Sequence, residues 1–356
     1  MLKKRKTRVA VVLDPRFSGG TSSAVARELR AVAHLFDLSI HAIETKMFKG
    51  RGVNPKIQSA LDDLGLTMSW NDRVIAAEVV VLHNPSAFKF DDDPAFRITS
   101  DRLIIVTHEN FLRPDGVSEG FDVARCLSLI ERASISRAQY LAPVSGYNRR
   151  GVVSWLSRNP RPWRLTEFDW FNICDFDMIE PVSEPRDRRG RLSRAGYEKF
   201  PALSVMKAHF PEHAECCKIL GADSFLADPV AIPKHWELHR FGSRQVDAFL
   251  SEIDFFVYFT HPGWRESFGR VIAEAICAGK VVITDPGTAE IFGDAVISSC
   301  GDDVDAVISG FIADPASYGR FVRRAQAIIK GFDARHFVAS VVGGVENMKG
   351  VSHDLL

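Results

Sequence analysis

The chain carries no excess charge of either sign: 45 Lys and Arg balance 45 Asp and Glu over 356 residues. That excludes a nucleic-acid binder held by bulk charge and leaves room only for a local basic patch. Long hydrophobic runs are missing too, and none approaches the length needed to span a membrane. The opening Met-Leu-Lys-Lys-Arg-Lys-Thr-Arg is basic but leads straight into a strand pattern, without the apolar segment and cleavage site of a signal peptide. It reads as a solvated terminus; weak peripheral contact with anionic lipid head groups at the inner face of a membrane is the alternative. Cysteine is sparse and scattered, at Cys126, Cys174, Cys216, Cys217, Cys277 and Cys300. No C-x-x-C pair occurs and adjacent cysteines make a poor disulfide frame, so reduced thiols in a cytoplasmic protein are expected. No His/Cys cluster has zinc spacing. The G-x-S-x-G and G-x4-G-K-S/T motifs are absent, as are internal repeats and low-complexity segments.

What is present is apolar residue in quantity, 46%, enough for two cores of ordinary size. Residues 9–13, 79–82, 103–106 and 141–144 are apolar runs that read as buried strands, with helical periodicity over 22–36, 125–138 and 152–156 between or after them. Around residues 180–190 the composition shifts to Pro, Gly and clustered Arg, which reads as a linker. Beyond it, 202–209 is a candidate strand, 212–220 and 246–251 helices, 255–259 and 281–284 strands, and 318–330 and 332–348 helices. Strands alternating with helices imply parallel α/β sheets.

The segment with the most chemistry runs from Glu266 to Ile283, ESFGRVIAEAICAGKVVI. It reads as a loop, a short helix, a glycine stop and a buried strand. Gly269 allows close approach of the backbone to a ligand, and the free amides of the following helix turn suit an anion. Glu274 lies about two turns in, near the face of Ser267, where a carboxylate can accept from vicinal hydroxyls. Gly279 suits the left-handed C-terminal position.

This pattern resembles the Glu-x7-Glu motif of family 4 glycosyltransferases. The resemblance implies an α/β architecture of the GT-B type, two Rossmann-like domains with a cleft between them: an acceptor-side domain at 1–180, a nucleotide-sugar domain at 181–331, and a helix at 332–356 crossing back to the first. It implies a retaining transferase that moves a sugar from a nucleotide-diphosphate donor (UDP-, GDP- or ADP-linked) to a saccharide or lipid-linked acceptor; the lack of a convincing ligand set and the balanced charge lead to the expectation of no metal and no nucleic-acid partner. Glu266 would face the donor sugar, the amides of Ser267, Phe268 and Gly269 the phosphates, and Glu274 the ribose. Arg189-Gly-Arg-Leu-Ser-Arg194 with Lys199 resembles the family's basic segment, which gives Arg191 and Lys199 the leaving diphosphate, with Arg194 as substitute for Arg191. Rival readings are a nucleotide-sugar epimerase of the same fold and a binding module that kept the fold without catalysis.

Gly19-Gly20, between the first strand and helix, would approach the donor diphosphate. His83 and His108 end strands, and such ends face the ligand crevice of an open α/β sheet. His108 matches the family's functional histidine, and Glu109 follows it. Trp264 would stack on a sugar or cap the core. Residues 231–236 form the loop that the resemblance assigns to the nucleotide base. Asp91-Asp92-Asp93 and Asp175-Phe-Asp177 resemble the metal-holding Asp-x-Asp of the other main glycosyltransferase fold, but read as acidic loops.

Overall fold

A computed structural model describes residues 5–17, 19–227 and 232–347. They form two compact units. One takes the chain up to Ile173 together with the segment from Ala334, and the other is Cys174–Asp333.

The first unit is built on seven strands: β1 (Arg8–Leu13), β2 (Asp37–Ala42), β3 (Met68–Trp70), β4 (Val74–His83), β5 (Arg97–Thr107), β6 (Ser134–Pro143) and β7 (Arg164–Leu165). Their order is β3-β2-β1-β4-β5-β6-β7, parallel throughout. Residues 9–13 and 79–82 are all buried, because helices cover both faces of a parallel sheet and demand unbroken apolar runs. The helix Gly20–Val32 lies against the C-terminal helix Ala334–Asn347. Phe337 of the latter meets Trp170 and Phe171 edge-on.

The second unit repeats the plan with β8 (Arg188–Leu192), β9 (Cys216–Leu220), β10 (Trp236–His239), β11 (Phe255–Tyr258), β12 (Val281–Thr284) and β13 (Ile297–Ser298). The order is β10-β9-β8-β11-β12-β13, again parallel. In both sheets the chain winds one way from the first strand and then the other way. The switch points therefore fall between β1 and β4 and between β8 and β11, where open α/β sheets leave room for ligands beyond the strand ends.

Four expectations about elements need correction. Residues 202–209 form a helix, Leu203–His209, rather than a strand. Met206, His209 and Phe210 are buried at a three-to-four residue spacing, which only a helix turns to one side. Residues 216–220, expected to be helical, are strand β9, whose alternating Cys217 and Ile219 are buried between β8 and β10. The helix expected over 125–138 stops at Ala133, and β6 begins at Ser134. There the long ladder with β5 captures the backbone, and Ser136 bonds Ser100 across it at 2.8 Å. The expected linker at 180–190 already contains the start of β8.

Candidate functional site in the second unit

Strand β8 carries the chain into a short turn, Tyr197–Lys199, while β11 ends at Tyr258 and opens a loop that reaches Glu266. Because β8 and β11 are neighbours, residues 67 positions apart meet. Lys199 Nζ lies 2.6 Å from Glu266 Oε1, and the Tyr258 hydroxyl donates to the same oxygen at 2.6 Å. Burial pushes the Glu266 carboxyl up, but Lys199 and the Tyr258 bond outweigh it and hold it below its ordinary value. Burial and the adjacent Glu266 charge push the Tyr258 phenol well above its own, so it stays a donor. Lys199 Nζ also lies 5.9 Å from the centroid of the Trp264 ring.

Arg191 stands elsewhere than a diphosphate clamp would. It is 1% exposed, with its guanidinium 4.3 Å from the Phe200 ring centroid and 5.0 Å from that of Tyr258. It donates to the Phe259 carbonyl at 2.9 Å and to the Lys199 carbonyl. Burial lowers its pKa to about 10, against the raising effect of Tyr258 and Glu266. The residue is a brace: it ties the Lys199 turn to the end of β11. Arg194 is the half-exposed cation of the segment and pairs with Glu198 at 2.6 Å.

After Glu266, Gly269 takes φ +85° at the entrance of the helix Arg270–Cys277, and its backbone N-terminus has no side-chain cap. A Cβ there would crowd Ile272 and Phe292. Phe268 turns inward, edge-on to Phe292 and Phe332, so this residue offers a ligand only its backbone. Glu274 pairs with Arg270 one turn earlier at 3.0 Å. Gly279 has φ +79°, the left-handed stop expected of it. Arg265 bonds Asp285 at 2.8 Å, and Asp285 caps the helix Pro286–Phe292, which ties the Glu266 loop to the end of β12. Residue 231 of the expected base loop lies outside the described residues.

The other candidates belong to the first unit. Gly19 caps the helix Gly20–Val32, and a Cβ on it would strike the Phe17 ring. Gly20 faces open space. His83 Nδ1 and His108 Nε2 are 3.0 Å apart at the ends of β4 and β5. Glu109 lies 4.0 Å from Lys89. The Asp91 carboxylate accepts from the Lys46 amide, while Asp92 pairs with Lys46 and Arg125, so the aspartate run is an acidic loop with protein partners. Among the described residues no group of three or more His, Cys, Asp or Glu is gathered as a metal site, and no helix is long and apolar enough to cross a membrane.

Two participants escaped the sequence reading. Tyr258 was visible only as one residue of the apolar strand expected over 255–259. Glu28 sits on the apolar stripe Val25–Leu29–Val32 of its helix, and a carboxylate on such a stripe was the available signal.

No family model matches the chain. Over 128 residues it is 28% identical to an uncharacterized 42.6 kDa protein in the cps region of Klebsiella pneumoniae, a match spanning 32% of this chain and 31% of that protein. Among solved structures, Anabaena Alr3699/HepE in complex with UDP and glucose superposes with a TM-score of 0.64 at 13% identity, over 96% of this chain and 100% of that one. The pneumococcal O-GlcNAc transferase GtfA in complex with UDP and GlcNAc gives 0.60 at 11%, over 99% and 100%. WaaG, a glycosyltransferase involved in lipopolysaccharide biosynthesis, gives 0.54 at 14%, over 94% and 98%. The fold is GT-B. At these identities the likeness carries architecture alone.

Proposed function

We propose that this chain is a glycosyltransferase using a nucleotide-diphosphate sugar. The observation that carries the reading is the Lys199–Glu266–Tyr258 cluster at the switch point of the second sheet, beside the uncapped helix that follows Gly269. A cation, a carboxylate and the amides of a helix N-terminus are the three kinds of group that a phosphorylated sugar uses. Solved proteins of this fold hold UDP with glucose or GlcNAc, which fits such a ligand.

In this reading Glu266 accepts from hydroxyls of the donor sugar, and the amides after Gly269 receive the phosphates. Lys199 exchanges Glu266 for the diphosphate as charge develops on the leaving oxygen, an interaction strongest in the transition state. Arg191 contributes by holding the Lys199 turn. Glu274 gives up Arg270 to meet the ribose. Transfer keeps the donor's configuration by same-face attack, with the leaving phosphate taking the acceptor's proton, and charge is met without a metal. The acceptor is a saccharide or lipid-linked sugar. Six free cysteines fit a cytoplasmic setting.

A thermal-shift and turnover screen against UDP-, GDP- and ADP-sugars, with and without saccharide acceptors, tests the proposal. Stabilisation by one nucleotide family and acceptor-dependent release of nucleotide support it. Release of free nucleotide without an acceptor supports the epimerase, and binding without turnover supports the non-catalytic module.

A further inference from the structure

In the first unit a chain of buried polar groups runs behind His108. Trp170 Nε1 donates to Glu28 Oε2 at 2.9 Å. The other carboxylate oxygen, Oε1, lies 3.5 Å from His83 Nε2, and the two side chains are 7% and 1% exposed. His83 Nδ1 then lies 3.0 Å from His108 Nε2. The link between Glu28 and His83 is the long one. Among the described residues His83 Nε2 has no partner in hydrogen-bond geometry, and Glu28 Oε1 at 3.5 Å is the carboxylate oxygen beside it.

Proton counting orders this chain. A neutral imidazole carries one N–H, so the two facing nitrogens at 3.0 Å must be one donor and one acceptor. A carboxylate beside His83 Nε2 accepts but cannot donate, and its other oxygen is already taken by the Trp170 N–H. With His83 neutral, its one proton belongs on Nε2 beside the carboxylate, which leaves Nδ1 as an acceptor. His108 must then carry its proton on Nε2 and donate it to His83. Its Nδ1 is left with a lone pair. Burial first, and His83 second, hold the His108 pKa well below 6.5, so the ring is neutral at pH 7.

We infer that Glu28 is a positioning residue that, through His83, fixes His108 as the Nε2–H tautomer and so makes its Nδ1 a hydrogen-bond acceptor for a substrate hydroxyl. This rests on the transferase reading for the substrate but not for the tautomer. It deepens that reading by class: a ring held as an acceptor selects an O–H group, a sugar hydroxyl, and turns away a carboxylate or phosphate oxygen at that position. Glu28 is anchored for the task, since Trp170 is gripped by Phe168 and by Phe337 of the C-terminal helix.

Long-range proton–nitrogen NMR of the full chain, labelled with nitrogen-15 histidine and free of ligand, reads the tautomer directly at pH 7. Loss of one set of signals in H108N assigns His108. The expected spectrum has His108 protonated on Nε2 with a bare Nδ1. A protonated Nδ1, or averaging of both tautomers, overturns the inference. Glu28→Gln keeps an acceptor for Trp170 but can turn its amide N–H toward His83, so His108 should move to mixed or reversed tautomers. An unchanged spectrum would remove Glu28 from the role. In turnover the same variant should lower kcat about 10-fold with the donor KM unchanged. The wild-type spectrum decides the tautomer even if the variant folds poorly, and it does so independently of whether transfer is found.

Discussion

Contacts converge on Glu266, where one oxygen takes both the Lys199 ammonium and the Tyr258 hydroxyl. Lys199 and Arg191, which resemble one basic pair in the sequence, separate in the structure and so give opposite phenotypes. Lys199→Gln keeps a hydrogen-bond donor for the buried Glu266 carboxylate, so it should hold most of the stability while lowering kcat about 10-fold or more, through lost stabilisation of the departing diphosphate. Arg191→Ala should cost about 3 kcal/mol in urea unfolding, because it strips charged hydrogen bonds from two buried carbonyls. An Arg191→Ala enzyme of normal stability and no activity would contradict the brace. Glu274→Ala should weaken nucleoside-diphosphate binding by about 1–3 kcal/mol in calorimetric titration. Unchanged affinity in the folded variant would exclude the ribose role.

His209 is a second residue-scale test, through pH. Its ring lies 4.4 Å from that of Phe259, and burial together with Arg191 lowers its pKa to about 4. In the unfolded chain it titrates near 6.5, so between about 6.5 and 4 the unfolded state binds more protons than the native one. Native stability should therefore fall as pH drops through that window. His209→Asn should flatten that slope in urea titrations at pH 7 and pH 4.5, whatever it does to stability at pH 7. An unaltered slope would mean that His209 is not held neutral.

At the scale of elements, the helix after Gly269 was legible in the sequence because its signals are local: a glycine start, an apolar face, a glycine stop and a strand. The Lys199–Glu266 contact was not legible, because it depends on β8 and β11 being neighbours across the switch point. Nor was the burial of Arg191, since an arginine looks the same in a sequence whether it faces solvent or two carbonyls. The misread 202–220 region shows the same limit: short apolar runs fit a helix or a strand, and the neighbouring strands decide. The join between β8 and the Lys199 turn also depends on Gly221, at φ +88°, where a Cβ would lie 1.9 Å from the Ser193 carbonyl oxygen. Gly221→Ala should cost more than ~2 kcal/mol and lower activity with it. A stable, active variant would show that this crossing does not hold the turn in place.

For the whole molecule, two doubly wound sheets give two switch points, one lined by the His83–His108 pair and the other by the Lys199–Glu266 cluster. In the proposed function the second is a donor site for sugar transfer driven by positive charge on the protein. The most direct test is proton NMR of the product formed from an α-linked nucleotide sugar and a saccharide acceptor in excess EDTA. The expected product carries a new α-glycosidic linkage, formed at an undiminished rate and lost in Lys199→Ala. A β-linked product would contradict retention. Abolition by EDTA would contradict charge stabilisation by Lys199 and the helix amides.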